Sequence, residues 1–206
     1  MMYRKSMLTT YIISVILLLP SLYANNLGTY HIQRESTVWI EGSSNINTFK
    51  CISYKVHGEG ILDSSIKAAP IVGSPFNVRL KATFAITVKS MDCGNPMVNS
   101  DMYEALKCDV FTTLSYELKR VDLLDDLSKE NGAFYANTVG MLTVAGSPKE
   151  IKMKVKLTSL GNGKYKIEGK KEVLMTDFGV KPPTAIMGLL KARDRLTFYF
   201  DIIVNG

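Results

Sequence analysis

The cysteines and histidines are the side chains of this sequence that could hold a metal ion or take part in redox chemistry. The 206 residues include three cysteines, Cys51, Cys93 and Cys108, and two histidines, His31 and His57. A metal site made of Cys51, His57 and Cys93 lacks the short spacing of metal-ligand pairs and has no fourth ligand. We therefore assign no metal site and expect structural roles for these three residues.

The cysteines have a further use if the chain is exported, because an oxidising compartment allows one disulfide and leaves one thiol. Cys51 and Cys93 lie on or beside predicted neighbouring strands, and a bridge between them would stabilise the fold by roughly 2–4 kcal/mol. Cys93–Cys108 is the other pairing that the sequence allows. We favour Cys51–Cys93, with Cys108 as the free thiol.

Sequence motifs of catalysis are missing. The sequence contains no His-Glu-x-x-His helix, no phosphate-binding Gly-x-x-x-x-Gly-Lys-Ser/Thr loop and no Gly-x-Ser-x-Gly nucleophile turn. We therefore assign no catalytic residue and no catalytic cofactor, and we predict that the protein is not an enzyme. The sequence also lacks an arginine-rich patch with interleaved aromatic residues, which argues against nucleic acid as a partner.

The N-terminal segment has the organisation of a secretory signal peptide. Arg4 and Lys5 precede an uncharged apolar run over residues 7–19, which is short for a membrane span and is followed by a polar stretch. We therefore predict a signal peptide over residues 1–24 and a single periplasmic domain over residues 25–206. Removal of Arg4 and Lys5 lowers the formal net charge from +6 to +4.

Alternation of apolar and polar residues with a period of two is the dominant pattern of the chain, and it is typical of strands with one buried face. In the clearest case Phe84 and Ile86 share one face, and Lys81 lies on the other. The predicted strands, eight in all, cover residues 37–41, 49–57, 80–89, 114–121, 134–144, 149–157, 165–174 and 196–204.

Two segments depart from this alternation. Residues 99–107 have helical spacing, with Met102, Tyr103 and Leu106 three or four residues apart, and residues 182–190 are predicted as a short helix or lid. Neither segment is long enough to form a helical layer. The sequence thus predicts an all-β fold with one or two short helices, and eight antiparallel strands fit a closed barrel. A β-sandwich is the alternative that periodicity leaves open.

Four strings of residues form an ordered set along the chain. They occupy residues 36–49, 100–107, 139–146 and 175–183, and the last two contain Gly-x-Leu-Thr-x-x-Gly and Thr-Asp-Phe-Gly-x-x-Pro-Pro. Their order and spacing resemble the YceI-like family of periplasmic polyisoprenoid-binding proteins over nearly all of residues 25–206. This resemblance implies a lipocalin-like eight-stranded antiparallel barrel and so favours the barrel over the sandwich. It also implies an isoprenoid lipid, such as the tail of a quinone, bound in the barrel lumen.

The implied ligand site has an apolar lumen and a polar mouth. We assign the mouth to Asn45, Asn47, Asp177 and Lys181, whose alternative role is in forming turns. The apolar side chains could equally be a filled core. We assign the lumen to Phe84, Ile86, Met153, Val155, Phe178, Phe198 and Phe200.

These expectations describe a periplasmic carrier or reservoir for an isoprenoid or other long-chain apolar lipid. One alternative is an envelope stress or adaptor protein whose barrel is packed shut. Another is a lipid-modifying isomerase or cyclase that uses an acid such as Asp177 or Glu172, although the sequence offers no acid–base pair for it.

Lysines of the predicted hairpin mostly share its outward face. Such a face is ordinarily a solvated surface, and the functional alternative is transient contact with anionic lipid head groups at a membrane surface. A homodimer is a further expectation, because some members of the family are dimeric. The lysines are Lys149, Lys152, Lys154, Lys156, Lys164, Lys166 and Lys170.

Overall fold

The computed structural model describes residues 27–63, 80–124, 133–185 and 190–206. In these ranges the chain forms antiparallel strands, one α-helix and two short 3-10 turns at Val88–Ser90 and Met175–Phe178. The helix is α1 (Pro96–Ala105). The strands are β1 (Leu27–Ile32), β2 (Thr37–Ser44), β3 (Thr48–Ser53), β4 (Val56–Asp63), β5 (Leu80–Thr87), β6 (Thr113–Leu123), β7 (Ala133–Val144), β8 (Ser147–Gly161), β9 (Lys164–Leu174), β10 (Thr184–Ala185) and β11 (Leu190–Asn205).

The strands close into an antiparallel barrel with eight positions around its wall, which confirms the predicted fold class. Strands β5 to β9 occupy successive positions, and β9 pairs with β11. One further position is shared by β1 and β2, which both pair with β11, and the next is shared by β4 and β3. Closure leaves few strand edges that could pair with another chain.

Side chains on the inner face of the barrel form a single apolar core. Along β7, for example, Ala136, Thr138, Gly140 and Leu142 are buried at every second position. This spacing follows from the strand geometry, which turns successive side chains to opposite faces. Residues predicted from the alternating pattern therefore lie inside, as expected.

Two tight turns join the longest neighbouring strands. Ala145 and Gly146 connect β7 to β8 with φ angles of 48° and 75°, and Asn162 and Gly163 connect β8 to β9 with φ angles of 50° and 75°. Positive φ at both central residues is the geometry that matches the twist of an antiparallel hairpin. We call the end of the barrel that holds the Ala145-Gly146 turn the upper end.

One predicted strand differs from the structure in a way that matters for the barrel. Residues 49–57 form parts of two strands, β3 and β4, separated at Tyr54 and Lys55. The Ser53 hydroxyl accepts a hydrogen bond from the backbone N–H of Lys55 at 3.1 Å, and this turn moves the chain from pairing with β2 to pairing with β1. The alternation of apolar residues does not reveal a hydrogen bond of this kind between a side chain and the backbone, so the sequence pattern did not predict the break.

Three other predictions concern segments outside the main strands of the barrel. The predicted signal peptide over residues 1–24 lies outside them. Of the two alternatives for residues 182–190, the helix is wrong where it can be compared, because Thr184–Ala185 pair with residues 190–191 as a strand, and residues 186–189 are not described; the lid stays a prediction. The predicted helix over residues 99–107 is confirmed, but it begins earlier, at Pro96.

The upper end of the barrel is covered by α1. Asn95 caps the helix, because its side-chain oxygen accepts from the N–H groups of Met97 at 2.9 Å and Val98 at 3.4 Å. Pro96 follows at the first helical position, where its fixed φ angle suits a helix start. The helix then buries Met102 against the barrel.

A disulfide joins Cys51 of β3 to Cys93, which lies three residues before the start of α1 at Pro96. Cys108 remains a free and buried thiol. This is the pairing that the sequence analysis favoured. The bridge fixes the segment that leads into α1 to the barrel wall.

Candidate functional site

The middle of the barrel is filled by aromatic side chains. The ring centroid of Phe84 lies 5.2 Å from that of Tyr116 and 6.1 Å from that of Phe200. Two glycines on the wall make room for these rings, since a Cβ atom at Gly140 would overlap Tyr116 and one at Gly169 would overlap Phe200. The space left here, the central cavity, is about 40 Å³. A volume of that size holds one or a few water molecules and no extended chain.

Tyr116 is the titratable side chain among these rings. Burial raises its pKa, and the hydroxyl of Thr138 offsets part of that effect. The phenol is therefore neutral at physiological pH. Thr138 in turn donates to the backbone carbonyl of Met153 at 3.2 Å.

A second and larger space, the upper cavity, lies between the upper end of the barrel and α1. Its volume is about 480 Å³, within the range of ordinary ligand pockets. Leu114, Val144 and Leu196 contribute its wall from three strands of the barrel. Leu114 and Phe198 line both cavities, so these two side chains stand between the upper and the central space.

The roof of the upper cavity is one face of α1 and the residue that follows it. Val98, Met102, Ala105 and Leu106 all line the cavity. Val98, Met102 and Ala105 share a face of α1 because their positions differ by three, four or seven residues, close to whole turns of a helix, and Leu106 follows the helix. The disulfide beside α1 also lines this space.

The 3-10 turn after β9 forms another side of the upper cavity, where Met175 and Phe178 are buried and line it. The turn is held by Asp194 of β11, whose carboxylate accepts from the backbone N–H of Thr176 at 2.9 Å and from its hydroxyl at 2.6 Å. Hydrogen bonds to the charged form lower the pKa of Asp194, with the Thr176 hydroxyl as the main cause. A polar clamp outside the barrel thus positions apolar side chains inside it.

Polar side chains from two elements form the rim of the upper cavity. Asn47, Thr48 and Lys50 contribute from the turn between β2 and β3 and from β3 itself, and Asn95 and Asp101 contribute from the helix side. Lys50 already pairs with Glu41 at 3.7 Å and lies over the ring of Trp39, and the Asn95 oxygen caps α1. The rim therefore offers amide and hydroxyl groups and the Asp101 carboxylate to the polar end of a ligand, whereas the cavity interior is mostly apolar.

The predicted lumen residues divide between the two cavities. Phe178 and Phe198 line the upper cavity, and Val155 is buried in the core without lining either space. The other residues surround only the small central cavity. They are Phe84, Ile86, Met153 and Phe200.

The predicted mouth residues are dispersed. Asn47 is the one that lines the upper cavity. Asn45 instead accepts a hydrogen bond from the backbone N–H of Lys191 at 2.9 Å, which ties the β2–β3 turn to β11. Asp177 forms an ion pair with Lys149 on the outer surface. Lys181 is exposed and lines neither interior cavity.

The roof is the part of the site that sequence reasoning missed. A signal for it was present, because Asn95-Pro96 is a typical helix start and the spacing of Val98, Met102 and Ala105 marks an apolar face. What the sequence does not state is that this face covers the end of the barrel. That placement depends on contacts between residues far apart in the chain.

The acids considered for an isomerase or cyclase lie away from the cavities. Asp177 pairs with Lys149, and Glu172 pairs with Arg195; all four side chains are substantially exposed. Within the described ranges, no cluster of three or more His, Cys, Asp and Glu side chains could bind a metal ion.

In the part of the chain that the structure describes, no helix has the length and apolar character needed to cross a membrane.

Solved structures with the same fold cover most of the chain. BcnA of Burkholderia cenocepacia is 16% identical over 84% of this chain and 98% of its own, with a TM-score of 0.62. A polyisoprenoid-binding domain from Saccharophagus degradans, described as implicated in plant cell wall breakdown, is 11% identical over 86% and 98%, also with a TM-score of 0.62. The YceI protein of Campylobacter jejuni is 15% identical over 76% and 84%, with a TM-score of 0.54.

Sequence comparison extends this likeness of fold to a family. No curated protein gives a significant match to the chain. The model of the YceI-like domain family, however, matches residues 33–203, which span the barrel from the loop before β2 to near the end of β11. By this match the chain belongs to the YceI-like domain family.

Proposed function

We propose that the protein binds a long-chain apolar lipid, of isoprenoid type, in the upper cavity and carries it through the periplasm. The observation that carries the proposal is the cavity of about 480 Å³ between α1 and the barrel, with an apolar interior and a polar rim. Membership of the YceI-like family supports a lipid-binding barrel. The Saccharophagus degradans neighbour, whose domain is described as polyisoprenoid-binding, supports the isoprenoid class.

The binding energy would come from the chain of the ligand. Each methylene group moved from water into an apolar cavity contributes about 0.8 kcal/mol. The polar rim, including Asn47 and Asn95, would then select among head groups, of which a quinone ring is one candidate. No covalent step is needed for such a role.

The filled middle of the barrel supports a position in the upper cavity for the chain of the ligand. The central cavity of about 40 Å³ is too small for an isoprenoid unit unless Leu114 and Phe198 move. A short chain would occupy the upper cavity alone. A longer chain would displace these two side chains and extend toward Phe84 and Phe200.

The periplasmic part of the proposal rests on two features of the chain. Residues 1–24 have the pattern of a secretory signal, and the Cys51–Cys93 disulfide is of a kind that persists in oxidising compartments. Family membership is compatible with that location. Pickup and delivery of a lipid would also require transient contact with a membrane surface.

Mass spectrometry of organic extracts tests the proposal directly. The full chain would be purified without detergent from the periplasm of a bacterial host, and extracts would be compared with those of Ala105→Trp, which fills the upper cavity from its roof. Ser100→Trp is the matched control, because Ser100 lies on the exposed side of the same helix.

We expect a stoichiometric isoprenoid lipid in the wild-type and Ser100→Trp extracts and little in the Ala105→Trp extract. Empty wild-type extracts, together with added isoprenoid quinones that leave the melting temperature unchanged, would overturn the proposal. That result would favour the adaptor alternative, for which the packed middle of the barrel is the supporting observation.

A further inference from the structure

Strands β8 and β9 pair along only part of their length. Their uppermost described backbone pair joins Val155 to Gly169. Above it, residues 147–154 of β8 pair only with β7, and residues 170–174 of β9 pair only with β11. The barrel wall therefore contains a stretch, which we call the β8–β9 gap, where two strand edges face each other without a described ladder.

The gap has defined borders. Its lower border is the Val155–Gly169 pair, and its upper border is the ion pair between Lys149 and Asp177, next to the 3-10 turn. Strand alternation decides which side chains of β9 turn inward here. Gly169 packs against an inward ring and Val173 is buried, so Lys171, midway between them, has the inward position.

Lys171 lines the central cavity from this position. It is the only charged side chain among the described residues around that cavity, where it lies with Met153, Phe198 and Phe200. Within the described ranges it has no ion-pair partner. A cation at the edge of an apolar space is costly unless it reaches water or meets an anion, and the gap allows either.

The outer side of the gap is also basic. Lys152 and Lys170 are exposed on the unpaired stretches of β8 and β9 and have no ion pair in the described part of the chain. Lys154 lies over the ring of Tyr135, with its Nζ atom 4.6 Å from the centroid. Of the nearby acids, Glu172 is already paired with Arg195.

Glu150 is the remaining carboxylate beside the gap, and it is exposed. Around the gap there is thus one carboxylate without an ion pair in the described residues, Glu150, and there are four lysines. The excess of positive charge favours an anion. The lysines are Lys152, Lys154, Lys170 and Lys171. We propose that the β8–β9 gap binds the anionic end group, a phosphate or a carboxylate, of an amphiphilic lipid through the ammonium group of Lys171. The inference rests on the proposed function, because the apolar chain of the same lipid would lie inside the barrel.

The geometry gives this end group a route that the rim of the upper cavity does not offer. Leu114 and Phe198 are shared by the two cavities, so a chain that passes them reaches Lys171. A charged head group could then sit in the gap, with its charge at the barrel surface and its chain within. Charge-assisted hydrogen bonds from an ammonium group to phosphate oxygens would hold it there.

Two ligands with the same chain and different head groups distinguish the contribution of the head group to binding from that of the chain. Geranylgeranyl monophosphate and geranylgeraniol have the same isoprenoid chain, and calorimetric titration of the full chain would compare their dissociation constants. We expect the phosphate to bind about tenfold more tightly, as removal of a hydrogen bond to a charged group predicts. Lys171→Met, which keeps an unbranched side chain but removes the charge, should abolish this preference.

Two further variants make the test specific. Lys170→Met, on the outer face of the same strand, should keep the preference within about twofold, because an exposed charge contributes little. Lys171→Arg, which keeps the positive charge, should show the preference for the phosphate that Lys171→Met lacks. If Lys171→Met fails to fold by circular dichroism, Lys171→Gln replaces it in the same comparison.

The outcomes distinguish this inference from the proposed function. Equal affinity of the wild-type protein for phosphate and alcohol would overturn the anion site and leave lipid binding intact, whereas binding of neither would overturn both. A preference that survives Lys171→Met would assign the anion to another residue and so contradict the inference. Displacement of the lipid phosphate by millimolar inorganic phosphate would also contradict it, since the site would then serve free phosphate.

Discussion

The ring of Phe200 on β11 lies against the backbone of Gly169 on β9, and the two residues are direct partners in the register of these strands. Gly169→Ala would force a methyl group into the ring. Because overpacking of a core costs about 1–3 kcal/mol, we expect a loss of that size in the free energy of unfolding. Urea denaturation followed by the fluorescence of Trp39, the single tryptophan, would measure it.

The control for this substitution is Gly60→Ala on β4. A Cβ atom at Gly60 would lie 3.7 Å from the Cβ atom of Ala82, an ordinary contact distance. We expect a change of no more than about 0.5 kcal/mol there. Equal losses in the two variants would show that the contact with Phe200 is not the cause.

Removal of the Cys51–Cys93 disulfide should destabilise the barrel strongly. The bridge spans a sequence separation of 42 residues, for which loop-closure entropy predicts about 4 kcal/mol. We expect Cys51→Ala/Cys93→Ala to unfold at a correspondingly lower urea concentration, and a reductant to have little further effect on this variant. Cys108→Ala should still respond to the reductant as the wild-type protein does. A loss of that response in Cys108→Ala would contradict the pairing.

The cap of α1 can be tested without changing the face of the helix that forms the roof. Asn95→Ala leaves the N–H groups of Met97 and Val98 without their side-chain acceptor and should cost about 1 kcal/mol. Asn95→Ser, which retains an acceptor, should recover most of it. Hydrogen exchange of the first-turn amides would report the effect locally, and unchanged exchange in Asn95→Ala would argue against the cap.

The clamp between Asp194 and Thr176 predicts an acid-sensitive contribution to stability. Because the folded-state pKa of Asp194 is lowered, this contribution is present above the pKa of the unfolded chain, about 3.9, and is lost as the pH falls through the folded-state value. Asp194→Asn should therefore lose less stability than the wild-type protein between pH 5 and the acid limit. Urea denaturation at a series of pH values would show it.

Glu104→Gln is the control for the acid experiment, since Glu104 is an exposed carboxylate on α1 and forms no ion pair in the described residues. The pH dependence of this variant should follow that of the wild-type protein. If Asp194→Asn and Glu104→Gln show the same pH dependence, the hydrogen bonds from Thr176 are not responsible.

The strands were predictable from the sequence, because the inward positions of strands such as β5 are apolar at every second residue, whereas the choice of a barrel over a sandwich came from the resemblance to the YceI-like family. The central side chains Phe84, Ile86 and Phe200 were identified for the same reason. Their role was harder to predict. Periodicity shows that a side chain points inward, whereas the rings that meet there decide whether any space remains.

The upper cavity escaped prediction because it is formed by separate elements that meet only in the folded chain. Lys171 illustrates the same limit, since the neighbouring residues Lys170 and Lys171 have identical chemistry in the sequence. Alternation along β9 puts Lys171 on the same face as the buried Val173, but only the register with β11 places it beside Phe198 and the central cavity. Long-range register is a tertiary property, which a local pattern does not contain.

The missing ladder between β8 and β9 has a mechanical consequence. Across the barrel from it, β3 has β2 as its partner and a single bridge from Ile52 to Asp92 on its other edge, as far as the described residues show. The wall beside the upper cavity therefore contains two stretches with few or no backbone hydrogen bonds between neighbouring strands, whereas β8 and β9 pair with each other in the lower half. Under the proposed function, a barrel that is stiff at its lower end and compliant at its upper end would accept lipids of different girth by spreading its wall rather than by unfolding.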